Sequence, residues 1–152
     1  MCTALNVSRY VLKYCNDNNI YDCSNKKLQK LLYYIQAWSL ALGKGPVFND
    51  EIEAWVHGPA VRAVYRKYKE FSFNPIAYRP YSSDGNCLSA DKREIADSVL
   101  KIYSQYDADF LGMRTHIEAP WLEARKSEKQ IISLASIEDY YKGVLQNAMR
   151  NK

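Results

Sequence analysis

Apolar residues recur at three- and four-residue steps along most of the chain, the spacing of helices with one buried face. Ala4, Val7, Val11 and Tyr14 form the first such line, with Thr3 placed to cap it and the turn-rich run Asn16 to Asp22 to end it. Ser24 can cap a second helix whose line is Leu28, Leu31, Leu32, Ile35, Trp38 and Leu42, stopped by Gly43-Lys44-Gly45. Burying each such side chain is worth roughly 1.5–3 kcal/mol, so this helix is expected to be the central one. The period then changes. Pro46-Val47-Phe48, Asn49-Asp50 and Ile52 to Val56 read as two short strands around a turn, a hairpin over about residues 46–56. Two strands alone are marginal in water, so the hairpin is expected to lean on the helices through Phe48 and Trp55.

Gly58-Pro59 next predicts a helix start, with Pro59 in the first turn and Val61, Val64, Tyr65 and Tyr68 as its buried stripe. Residues 72–89 carry prolines, serines, Gly85 and Asn86 without a period and read as a long loop. Ser89 can cap a helix with the line Ile95, Val99, Ile102 and Tyr106, and Asp107 a short one through His116. Pro120 opens a short turn with Trp121, Leu122 and Ala124, whereas Ser127 to Ser133 has no readable period. Ser136 followed by Asp139 resembles a capping box ahead of a last helix presenting Ile137, Tyr141, Val144 and Ala148. The expected fold is mainly α, one helical domain over residues 1–152 with a small two-stranded β-hairpin.

At 152 residues, 47% hydrophobic and 25% charged, the chain has the size and composition to bury a core. Its 13 tyrosines are unusual, and amphipathic rings of this kind suit both wet core edges and protein interfaces. The net charge of +4 is mildly basic, densest at Lys26, Lys27 and Lys30 and at Arg62, Arg66, Lys67 and Lys69. A nucleic-acid footprint is normally steeper and gathered on one face, so an acidic protein partner explains the charge equally well. Cys2, Cys15, Cys23 and Cys87 form no C-x-x-C pair, and the start of the chain lacks a secretory pattern; the four read as reduced thiols in the cytoplasm. No apolar run approaches the ~20 residues that span a bilayer, so no membrane role is expected.

The search for chemistry assigns no catalytic, cofactor or metal-binding residue. His57 and His116 are far apart and have no neighbouring cysteines, unlike paired zinc ligands. His116-Ile117-Glu118 matches half of the zinc deaminase signature, but no Cys follows Cys87 to complete it. Gly43-Lys44-Gly45-Pro46 fits neither phosphate-binding glycine pattern, and no small-molecule ligand is expected. Asp50 with Glu51, and Asp107 with Asp109, occupy turn or cap positions where acids belong structurally. Two clusters stand apart: Ala54-Trp55-Val56-His57-Gly58-Pro59-Ala60-Val61 and Thr115-His116-Ile117-Glu118-Ala119-Pro120-Trp121. Either each His satisfies buried backbone groups and each Trp fills core, or the two clusters share a binding surface.

These clusters carry a family resemblance. Lys27-Leu28-Gln29-Lys30-Leu31-Leu32-Tyr33-Tyr34-Ile35-Gln36 resembles the K-L-Q-K-L-L-Y-Y-x-Q block of the Panacea domain, the SocA-like antitoxin family also met as phage-associated proteins. Pro46-Val47-Phe48 with Ala54-Trp55-Val56-His57-Gly58-Pro59 is similar to its P-L-F…A-W-x-x-G-P-V, and Thr115-His116 with Pro120-Trp121 to its T-H-x-x-x-P-W. Ala60 departs conservatively from the usual Val. The absence of an appended helix-turn-helix argues against direct reading of operator DNA. The resemblance implies a helical domain with a small hairpin that neutralises a cognate protein toxin by direct contact, or delivers it to a protease, without catalysis. Tyr33, Tyr34, Trp55, His57 and Trp121 are the candidate partner contacts. Two other readings stay open: an enzyme acting on a small molecule with His57 or His116 as general base, and a nucleic-acid module using Arg62, Arg66, Lys67 and Lys69.

Overall fold

The computed structural model describes residues 2–80 and 87–150. Seven helices are present among them: α1 (Ala4–Asp17), α2 (Asn25–Ala41), α3 (Arg62–Tyr68), α4 (Ala90–Tyr103), α5 (Ala108–His116), α6 (Ala119–Lys126) and α7 (Leu134–Arg150). Three short strands, β1 (Ile52–Trp55), β2 (Gly58–Ala60) and β3 (Ile131–Ile132), form an antiparallel sheet in the order β2-β1-β3. The fold is mainly α with a small sheet. None of the helices is long and apolar enough to cross a membrane.

Helix α2 is central, as its apolar line implies: α1, α3, α4, α5 and α7 all pack against it, and fifteen of its seventeen residues are buried. That burial exceeds what one amphipathic stripe allows. Lys27, Gln29, Lys30 and Gln36 are buried along with the leucines, so each needs a partner inside the protein. Thr3, Ser24, Ser89 and Asp107 cap α1, α2, α4 and α5 as the sequence indicates.

The sheet differs from the expected hairpin. Pro46 to Phe48 is not a strand of the sheet: Phe48 makes an isolated bridge to Cys2, and Gln36 takes up backbone groups of the segment. The Gln36 amide oxygen accepts from the Val47 and Phe48 N–H groups at 2.7 and 3.3 Å, and its NH2 donates to the Phe48 carbonyl at 2.9 Å. β1 instead pairs with β2, through Ala54 opposite Pro59, and with β3, through Ile52 opposite Ile132. Gly58-Pro59 is therefore strand rather than helix start; Pro59, lacking an N–H, is tolerated on an edge strand. Helix α3 begins at Arg62, after Gln29 has accepted the Val61 N–H at 2.7 Å.

Other expectations shift by a few residues. The cap of α7 is Ser133, whose hydroxyl accepts from the Ser136 N–H, in place of the proposed Ser136-Asp139 box. On α4 the buried line is Ile95, Ala96, Val99 and Leu100, while Ile102 is exposed. Ile137 and Tyr141 of α7 are buried but Val144 and Ala148 are not, and Tyr65 of α3 is also exposed. Pro120 sits in the first turn of a full helix, α6. Part of the long loop, residues 81–86, lies outside the described residues.

The cysteines are not all thiols. Cys2 and Cys87 form a disulfide with Cα atoms 5.3 Å apart, which the sequence spacing of 85 could not reveal. Cys15 and Cys23 remain free and buried.

Candidate functional site

The three sequence blocks converge on the turn between β1 and β2. From below, α2 holds β2: the Lys30 ammonium donates to the Pro59 carbonyl at 3.1 Å, beside the Gln29 bond to Val61. From the side, the third block and Arg125 of α6 grip β1 and the turn after it by successive carbonyls. Arg125 donates to Ala54 at 2.9 Å, the Trp121 indole to Trp55 at 2.8 Å, and His116 Nε2 pairs with the Val56 carbonyl at 2.8 Å. The His116 ring lies 4.4 Å from that of Trp121, and the Arg125 guanidinium lies over the indole at 5.8 Å from its centre. Gly58 closes the turn at φ +115°, and a Cβ there would meet Lys30 Cε at 2.6 Å and Thr115 Oγ1 at 2.8 Å.

The remaining tyrosine-rich signature lies in the core. Tyr33 and Tyr34 are 1% and 2% exposed, so neither is a surface contact. Tyr34 stacks on Tyr103 at 4.2 Å, and both Tyr33 and Tyr34 meet Tyr141 edge-on. Glu118 sits among them, its two carboxyl oxygens accepting from Tyr33 and Tyr141 at 2.8 Å each. Burial raises the Glu118 carboxyl above its ordinary value, with the two tyrosine bonds pulling it back. The sequence passed over Glu118 as half of a chance motif; its position between the Thr-His and Pro-Trp pairs was the available signal.

Trp55 and His57 reach the outside. Trp55 is half-buried: its indole donates to Glu53 at 3.2 Å, Arg62 lies 5.4 Å over its ring, and Tyr65 meets it edge-on at 5.0 Å. Arg62 grips Glu53 through two nitrogens at 3.0 and 2.6 Å, so the basic stretch Arg62 to Lys69 is partly neutralised. Arg62 holds the Glu53 carboxyl below its usual range. Trp121, by contrast, is half-buried in the grip on β1 and acts there through its N–H.

Around the turn between β1 and β2 lies an exposed apolar patch. Val56 is 66% exposed at the turn, Ile117 68% at the end of α5 and Met113 59% one turn earlier. The His116 bond to Val56 and the approach of Gly112 to the His57 carbonyl bring these segments together. Beside the patch, Trp55, His57, Tyr65, Lys69, Phe73 and Asp109 line a cavity of about 570 Å³ with Lys30 in its wall. Of the two histidines, His57 lines this cavity and His116 is engaged with the Val56 carbonyl.

The fold and its pinned turn define a small helical domain whose sheet is held by side chains of the central helix α2 at β2 and of α6 at β1. Residues 28–122 match the family described as Antitoxin SocA-like, Panacea domain. The chain belongs to that family. No curated protein and no solved structure matches it significantly.

Proposed function

We propose that the protein neutralises a protein toxin by direct contact, through the face formed by Val56, His57, Met113 and Ile117, and that it does so without catalysis. Family membership over residues 28–122 carries the antitoxin role. The exposed apolar patch supports the choice of face, since large apolar side chains grouped on a rigid surface are the usual material of protein interfaces. Trp55, clamped by Glu53, Arg62 and Tyr65, adds a rigid aromatic anchor at its edge.

The test is growth rescue on co-expression with the product of the adjacent gene as the candidate toxin, followed by pull-down of the pair. The unsubstituted chain rescues and binds. Val56→Asp and Ile117→Asp change solvent-facing atoms, keep the circular dichroism spectrum and lose rescue. Protection reaching completeness near equal amounts of the two proteins fits binding, whereas protection by a trace of antitoxin would point to an enzyme. Failure of the unsubstituted chain to bind or rescue overturns the reading.

A further inference from the structure

We propose that the cavity floored by Lys30 is a binding site for a carboxylate carrying an apolar body. Two lysines are buried one turn apart on α2, at 0% and 1% exposure, and the structure treats them differently. Lys27 has a counter-charge, Asp22 at 2.7 Å, and also donates to the Ser104 carbonyl at 2.5 Å. Lys30 has the Pro59 carbonyl at 3.1 Å and, among the described residues, no carboxylate within ion-pair distance. An ammonium has three donors, and a buried charge without a counter-charge is costly.

The surroundings supply what such a ligand needs. At about 570 Å³ the cavity is the size of a small-molecule site. Trp55, Tyr65 and Phe73 offer aromatic walls, Phe73 being 92% exposed at the mouth. The charged and titratable groups facing it are Lys26 and Lys30 from α2, His57 from the turn, Tyr65 and Lys69 from α3 and its end, and Asp109 from α5. Asp109 is engaged by Lys26 at 2.8 Å, which leaves Lys30 and Lys69 as the attracting charges. Burial, with the charge of Lys26 adding to it, lowers the Lys30 amine to about 7. A bound carboxylate stabilises the ammonium form, so binding above that pH takes up a proton and weakens as pH rises further.

The site stands independently of the antitoxin reading. The test uses the whole protein labelled at lysine Cε, with phenylacetate and the neutral phenylacetamide as probes followed by nuclear magnetic resonance. Phenylacetate is expected to saturate, move the Lys30 titration upward, and bind about tenfold or more tighter than the amide, as a charge-assisted hydrogen bond implies. Its binding should weaken above about pH 8 and vanish in Lys30→Met. Equal binding of acid and amide, no saturation at millimolar acid, or unchanged binding in Lys30→Met overturns the proposal; the acid–amide comparison needs no substitution. Added toxin that displaces phenylacetate and itself moves the Lys30 titration upward identifies an acidic side chain of the toxin as the natural occupant. Toxin and phenylacetate bound together identify a free carboxylic acid instead.

Discussion

The indole N–H of Trp121 donates to the carbonyl of Trp55 at 2.8 Å across 66 positions of sequence. The bond fixes α6 against the first strand at the place where the chain turns back. Trp121→Phe keeps most of the ring and removes the donor, leaving the carbonyl without this partner. A loss of about 1–3 kcal/mol is expected, read as a lower urea midpoint with an unchanged slope.

Gly58 is the least replaceable residue of the turn. Gly58→Ala forces a side chain into φ +115° and places its Cβ within 2.8 Å of Thr115 Oγ1. Gly43 also has positive φ, at +77°, but a Cβ there meets nothing within 4 Å. Gly43→Ala should therefore cost about 1 kcal/mol and Gly58→Ala at least about 2–3 kcal/mol, in thermal melts compared side by side.

Lys30 makes stability depend on pH in a direction opposite to that of a salt-bridged lysine. Its folded-state value of about 7 lies below the ordinary 10.5, so between these the unfolded chain holds a proton that the folded one has released. Stability then rises with pH from about 7 towards 9, by up to about 1.4 kcal/mol per unit. The penalty is fully present below pH of about 7. Denaturant unfolding across this range should show the rise, and Lys30→Met should flatten it.

The Cys2–Cys87 disulfide is open to direct measurement. Intact mass without reductant should lack two hydrogens relative to the reduced chain, and Cys2→Ser should abolish the difference. Closing a loop of this length stabilises by roughly 2–5 kcal/mol, so reductant should lower the melting temperature of the unsubstituted protein and leave Cys2→Ser unaffected.

The sequence spoke most clearly where a helix has caps and one apolar face. Thr3, Ser24, Ser89 and Asp107 satisfy nearby N–H groups, so their meaning is local. It spoke less clearly where partners are distant. Nothing near Pro46-Val47-Phe48 reveals that Gln36 will occupy its backbone, and without that the segment looks like a strand. Tyr33 and Tyr34 looked like contacts because rings suit surfaces and cores alike; their partners Glu118, Tyr103 and Tyr141 lie 69 or more positions away. Of the five candidate contacts, Trp55 and His57 line the outer cavity, Trp121 grips β1, and the two tyrosines form core.

The engagement of Gln29, Lys30 and Gln36 with main-chain groups has a further effect on how this surface can diversify. Those side chains hold the neighbourhood of the sheet through Pro59, Val61 and Phe48, whatever stands at Val56, Met113 or Ile117. A visiting protein finds the outer edge at β2 already engaged by α2, so strand addition is disfavoured there and discrimination falls to exchangeable side chains. Single substitutions on the patch can thus change the surface it presents while the scaffold beneath stays as it was.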